Sequence, residues 1–88
     1  MGQFAHKTKS ARKLITIQEW AHFIGVARPK VYELLVQYQS DGREYDPRDV
    51  YSVLDFYGFV IMSQMFNKKM LQGLANRFSN WIRSAGLL

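Results

Sequence analysis

Arg28, Lys30 and Tyr32 fall within one five-residue stretch, Arg28-Pro29-Lys30-Val31-Tyr32, and all three side chains suit a polyanion. A helix opening here sets two cations beside its own positive end, and both attract phosphate. Arg28 or Lys30 can alternatively bond a guanine edge, while Tyr32 can meet a phosphate or a thymine methyl. Lys7, Lys9, Arg12 and Lys13 occupy residues 1–13 without an acid, and suit phosphates or the minor groove. The residues after Asp55 are also basic, with Lys68, Lys69, Arg77 and Arg83. All seven acids lie between Leu14 and Asp55 against four cations, a balance of 4 − 7 = −3 inside a chain of net charge +5. Basic ends around a mildly acidic centre fit a polyanionic partner or a solvated surface.

Other chemistries find little support. With no cysteine, and with His6 and His22 far apart in sequence, a metal site is not expected. Asp46, Asp49 and Asp55 read as helix-start and surface acids rather than a general acid/base pair. Neither a nucleophile elbow nor a glycine-rich phosphate loop is present, so no catalysis, cofactor or small-molecule substrate is expected. No run approaches 18 consecutive apolar residues, and no apolar segment follows the basic N-terminus. Gly2 follows Met1, but His6 spoils the myristoylation pattern. The expected address is the cytoplasm, with no membrane partner.

Eighty-eight residues allow one domain: a basic arm over 1–13 and a folded unit over 14–88. Thr16-Ile17-Gln18-Glu19 has the form of a capping box and opens a first helix near 17–24, with Ile17, Trp20, Ala21 and Ile24 inward. Gly25 supplies the left-handed stop. A second helix starts near Arg28, with Pro29 in its first turn and Val31, Leu34, Leu35 and Tyr38 on its buried stripe. Ser40-Asp41-Gly42 ends it. Arg43-Glu44-Tyr45 is short for a strand but fits one leg of a small hairpin. Asp46 as N-cap and Pro47 at the next position predict a third helix, buried through Val50, Val53, Leu54, Tyr57 and Ile61. Gly58 inside it leaves a kink or an end equally open. After Asn67 a last helix over 68–84 carries an apolar stripe of Leu71, Leu74, Ala75, Phe78, Trp81 and Ile82, with Lys69, Gln72, Arg77 and Arg83 largely off it. That stripe can fold over the other helices or pair with a second copy.

The segment "ITIQEWAHFIGVARPKVYELL" resembles the opening of the MerR family and its excisionase-like relatives. Ile17, Glu19, Trp20, Ala21, Gly25, Val26, Val31 and Tyr32 fall on that pattern. "GREYDPRDVYSVL" is similar to the same family's wing and following helix, through Arg43, Tyr45, Asp49, Val50 and Leu54. The resemblance covers about half the chain, Leu14 to Leu54. It implies that Arg43 contacts the DNA backbone and that Tyr45 packs beneath the wing. Ala27 departs from the usual serine or threonine, which removes a phosphate-contacting hydroxyl. The wing is also clipped, as in AlpA-like proteins, and with no cysteine in the sequence the regulators' cysteine-bearing sensing domain is not expected.

The expected fold is therefore mainly α: a helix-turn-helix with a short or degenerate wing, followed by one or two C-terminal helices. The expected function is sequence-influenced binding of double-stranded DNA, with the recognition helix at 28–39 in the major groove and Arg43 on the backbone. The role would be a small transcription regulator or an excisionase-like recombination directionality factor, possible as a homodimer through the C-terminal helix. The rival is a protein-binding adaptor or inhibitor using the aromatic region of Tyr45, Tyr51, Phe56, Tyr57 and Phe59 and the C-terminal stripe, a reading that Glu33, Asp41 and Glu44 favour.

Overall fold

The computed structural model describes residues 13–86, which form four helices: α1 (Ile17–Ile24), α2 (Arg28–Ser40), α3 (Val50–Met62) and α4 (Lys68–Ser84). The chain is mainly helical, with no strand among the described residues. Lys7, Lys9 and Arg12 lie outside the described residues. None of the described helices is long and apolar enough to cross a membrane.

Side chains close three of the four helix N-termini. At α1 the capping box is complete: Glu19 N–H donates to Thr16 Oγ1 at 3.2 Å, and Thr16 N–H donates to Glu19 Oε1 at 2.8 Å. At α4 the Asn67 carboxamide accepts from Met70 N–H at 2.9 Å. Helix α3 starts later than Asp46-Pro47 predicts, because Asp49 is its N-cap and accepts from Tyr51 N–H at 3.0 Å. The intervening residues are committed elsewhere. The Asp46 carboxylate turns onto Arg48 N–H at 2.9 Å, and the Pro47 carbonyl accepts from Leu14 N–H at 2.7 Å.

Helix α1 packs on both α2 and α4, and α3 packs on α2. At the centre lies Trp20, fully buried, edge-on to Phe56 at 5.0 Å between centroids and stacked on Phe78 at 5.7 Å. Such pairs add about 0.5–1.5 kcal/mol beyond the area they bury. Ile15, Ile24, Val31, Leu34, Val53, Val60 and Leu74 complete the fully buried set. The stripe of α4 is used inside the chain: Leu74 and Phe78 are buried, and Leu71, Trp81 and Ile82 pack partly buried against the same core.

Three expectations for the second half are corrected. Gly58 does not end α3, which runs on to Met62. The buried face of α3 is Val53, Phe56 and Val60, while Leu54, expected inside, is 41 % exposed. Apolar residues surround this helix, so the docking of Phe56 against Trp20 and Tyr38 sets its rotation rather than its own periodicity. Arg43-Glu44-Tyr45 is irregular chain rather than a hairpin leg.

Candidate nucleic-acid interface

The turn between α1 and α2 is built from a few groups. Gly25 sits at φ 86°, ψ 37°, a left-handed conformation that side chains with a Cβ rarely adopt. Gly25 N–H and Val26 N–H both donate to the Ala21 carbonyl, at 2.8 and 3.0 Å. Val26 then packs partly buried against the core. Another contact comes from far along the chain: Arg77 Nε–H donates to the Phe23 carbonyl at 2.9 Å. A guanidinium from α4 therefore satisfies one of the last carbonyls of α1, at the negative end of its dipole. The sequence places Arg77 on the outer side of α4, and the structure corrects this. The small residue at Gly73 leaves room for the inward path, since a Cβ there would stand 2.9 Å from Arg77 Nη2.

Helix α2 is the exception in capping. Ala27 offers its first turn no side-chain acceptor, no acid lies in that turn, and Pro29 is in it. Its inner face is Val31, Leu34 and Tyr38. Among the outward residues, Arg28, Pro29, Glu33, Gln37 and Gln39 are exposed, with Tyr32 at 55 % and Val36 at 68 %. At roughly 100° per residue, Arg28 and Lys30 stand about 160° apart around the axis, on opposite shoulders of that face. Tyr32 shares the Arg28 shoulder, whereas Lys30 lies 3.6 Å from Glu33. The centre between the shoulders is apolar, a shallow open depression lined by Pro29, Tyr32, Glu33, Val36 and Gln37. Sequence reasoning omitted Val36, Gln37 and Gln39. Projecting α2 from its buried triad Val31, Leu34 and Tyr38 finds them.

Arg43 stands away from that shoulder. Its guanidinium lies 5.4 Å over the Tyr38 ring and 5.9 Å over Phe59, and Nη1 is 3.8 Å from Asp55 Oδ2. The side chain remains 43 % exposed, so one edge faces solvent. Tyr38 Oη donates to the same Asp55 oxygen at 2.7 Å. Burial, followed by that hydrogen bond, pushes the Tyr38 phenol up to about 12. Tyr45 packs on Phe56 and accepts from Trp20 Nε1–H at 2.8 Å. Burial raises its phenol to about 12 as well. Lys13, the one residue of the basic arm within the described range, is exposed.

Among the described residues no group of three His, Asp or Glu side chains converges as metal ligands would. What the arrangement offers is a solvent-facing helix with an uncapped, cation-flanked N-terminus, held in place by a glycine turn and by Arg77. No family model matches the chain, and neither a curated protein nor a solved structure shows significant similarity to it.

Proposed function

We propose that the chain binds double-stranded DNA through α2, as a helix-turn-helix reader with a degenerate wing. One observation carries the reading. Alone among the four helices, α2 leaves its first-turn N–H groups without a side-chain cap, and it sets Arg28 and Lys30 there. Cations at that end oppose the helix dipole. Pro29 has no N–H and the Lys30 N–H is taken by the Ala27 carbonyl at 3.0 Å, so a phosphate resolves the conflict by meeting the Arg28 N–H and its guanidinium. Arg28 and Tyr32, on one shoulder, then face the groove edge, with Val36 and Gln39 further along for a thymine methyl and a base edge. Arg43 reaches a flanking phosphate with the outer edge of its guanidinium while its inner edge stays beside Asp55. Lys13 and the arm before it supply sequence-neutral attraction. The likeness of Leu14 to Leu54 to MerR and excisionase-like proteins supports the same assignment, as a small transcription regulator or a recombination directionality factor.

Fluorescence anisotropy with a labelled duplex across a salt series tests this. Affinity should fall steeply with salt, and Arg28→Ala should flatten the log–log slope by about 1. Salt-independent binding, or an unchanged slope in Arg28→Ala with Lys30→Ala, refutes it. A second reading, a protein-binding adaptor, is favoured by the apolar centre of the same face at Pro29, Tyr32 and Val36. On that reading Tyr32→Ala abolishes binding to a protein partner and duplex affinity is negligible at every salt concentration.

A further inference from the structure

The most exposed large apolar side chains among the described residues form two groups: Tyr32 and Val36 on α2, and Tyr51, Leu54 and Met62 on α3. The α3 group has no part in the reading above. Tyr51, Leu54, Gly58 and Met62 follow one another at spacings of three, four and four, which aligns them along one ridge of the helix. Tyr51 is 67 % exposed, Leu54 41 % and Met62 78 %, and exposed apolar side chains grouped along one ridge are the kind of surface at which partners dock. On its opposite side the same helix buries Val53, Phe56 and Val60. The exposed side of α3 is thus apolar apart from Asp55, and covering it removes apolar surface from water.

We propose that a second copy of this chain covers the ridge, its α3 crossing the first antiparallel at Gly58. Three features select that occupant. The ridge is self-complementary about Gly58: Leu54 lies four residues before it and Met62 four after, so a two-fold axis there sets each Leu54 against the partner copy's Met62. Among the described residues nothing stands within 4 Å of where a Gly58 Cβ would be, so the backbone at the crossing point is open to close approach. The only charge on α3, Asp55, is matched by Arg43 at 3.8 Å, and both border the groove formed with Leu54, Gly58 and Met62. Two copies therefore meet through neutral, donor-and-acceptor rims rather than through like charges. The alternative of α4 is weaker, since its stripe is already packed on the core. The assignment holds whether or not α2 reads DNA.

Analytical ultracentrifugation of the full chain, without DNA, tests the proposal. The wild type should dimerise, and Gly58→Lys or Met62→Lys should weaken the dimer at least tenfold. Both side chains project from an exposed helix face, so circular dichroism should show unchanged helicity. Tyr32→Lys, on the other apolar group, should leave the dimer intact. Because the chain has no cysteine, Gly58→Cys is a clean reporter and should oxidise to a disulfide-linked dimer, whereas Gln72→Cys on α4 should not. A wild type monomeric at roughly 200 µM overturns the proposal, as does a dimer that survives Gly58→Lys. So does a dimer abolished by Tyr32→Lys alone.

Discussion

Replacing Arg77 with alanine should destabilise the chain by about 2 kcal/mol, although the residue lies on the last helix and looks like a surface cation in sequence. The Arg77 bond to the Phe23 carbonyl is 2.9 Å long and carries a full positive charge on the donor. Bonds to charged groups contribute about 1.5–3 kcal/mol. A cation at a helix C-terminus adds about 0.3–1 kcal/mol, and partial exposure argues for the lower end of the sum. In a domain of this size that loss lowers Tm by about 10 °C. Urea midpoints should fall by about 1–2 M. Gly73→Ala makes the reasoning refutable, because its Cβ would stand 2.9 Å from Nη2 and 3.3 Å from Nη1 of the same side chain. Alone, the alanine gains about 1 kcal/mol of helix propensity but pushes the guanidinium off its carbonyl, so the net effect is near zero or destabilising. In the Arg77→Ala background the obstacle is gone, and Gly73→Ala should stabilise by about 1 kcal/mol. Equal effects of Gly73→Ala in the two backgrounds, or an Arg77→Ala loss below about 0.5 kcal/mol, would refute the account.

Tyr45→Phe removes the acceptor of the Trp20 indole N–H while keeping the ring, and should cost about 1–3 kcal/mol in urea denaturation. Because Tyr38 and Tyr45 titrate near 12 when folded and at 10 when unfolded, the folded chain holds more protons between those values. Stability is therefore full below pH 10 and falls as pH climbs toward 12, and urea midpoints that stay flat across that window contradict the burial of both phenols. Ala27→Ser supplies the missing cap of α2 and should raise stability by about 1 kcal/mol, read as an upward shift in the urea midpoint.

The elements whose ends are written in local chemistry were legible: the capping box at Thr16, the stop at Gly25, the proline entry to α2 and the break at Asn67 all stand where their residue types place them. What escaped was set at a distance. Asp46-Pro47 has the form of a helix start, but Leu14 takes the Pro47 carbonyl and moves the start to Asp49, a contact between segments more than thirty residues apart. The rotation of α3 could not be read because both of its faces are apolar, so periodicity alone does not select one. Arg77 read as solvated because nothing nearby in sequence announces its partner on α1. For the candidate site, exposure of Arg28 and Tyr32 followed from the buried stripe of α2. The separation of Arg28 from Lys30 by half a turn follows from their spacing of two residues, whereas the engagement of Arg43 with Tyr38 and Asp55 emerged only in three dimensions.

The contact between α4 and the end of α1 also sets an order in time. Helices α1 and α2 are joined by three residues, so their packing closes a very short loop. The Arg77–Phe23 bond spans 54 residues, and closing a loop of that length costs about 2.5 kcal/mol more in chain entropy. The helical pair that carries the candidate surface is thus placed to form early, with α4 closing over it afterwards. Interactions made after the folding barrier govern how fast a protein opens rather than how fast it folds. Arg77 accordingly behaves as a latch, whose loss shortens the lifetime of the closed chain while leaving the speed of its assembly nearly untouched.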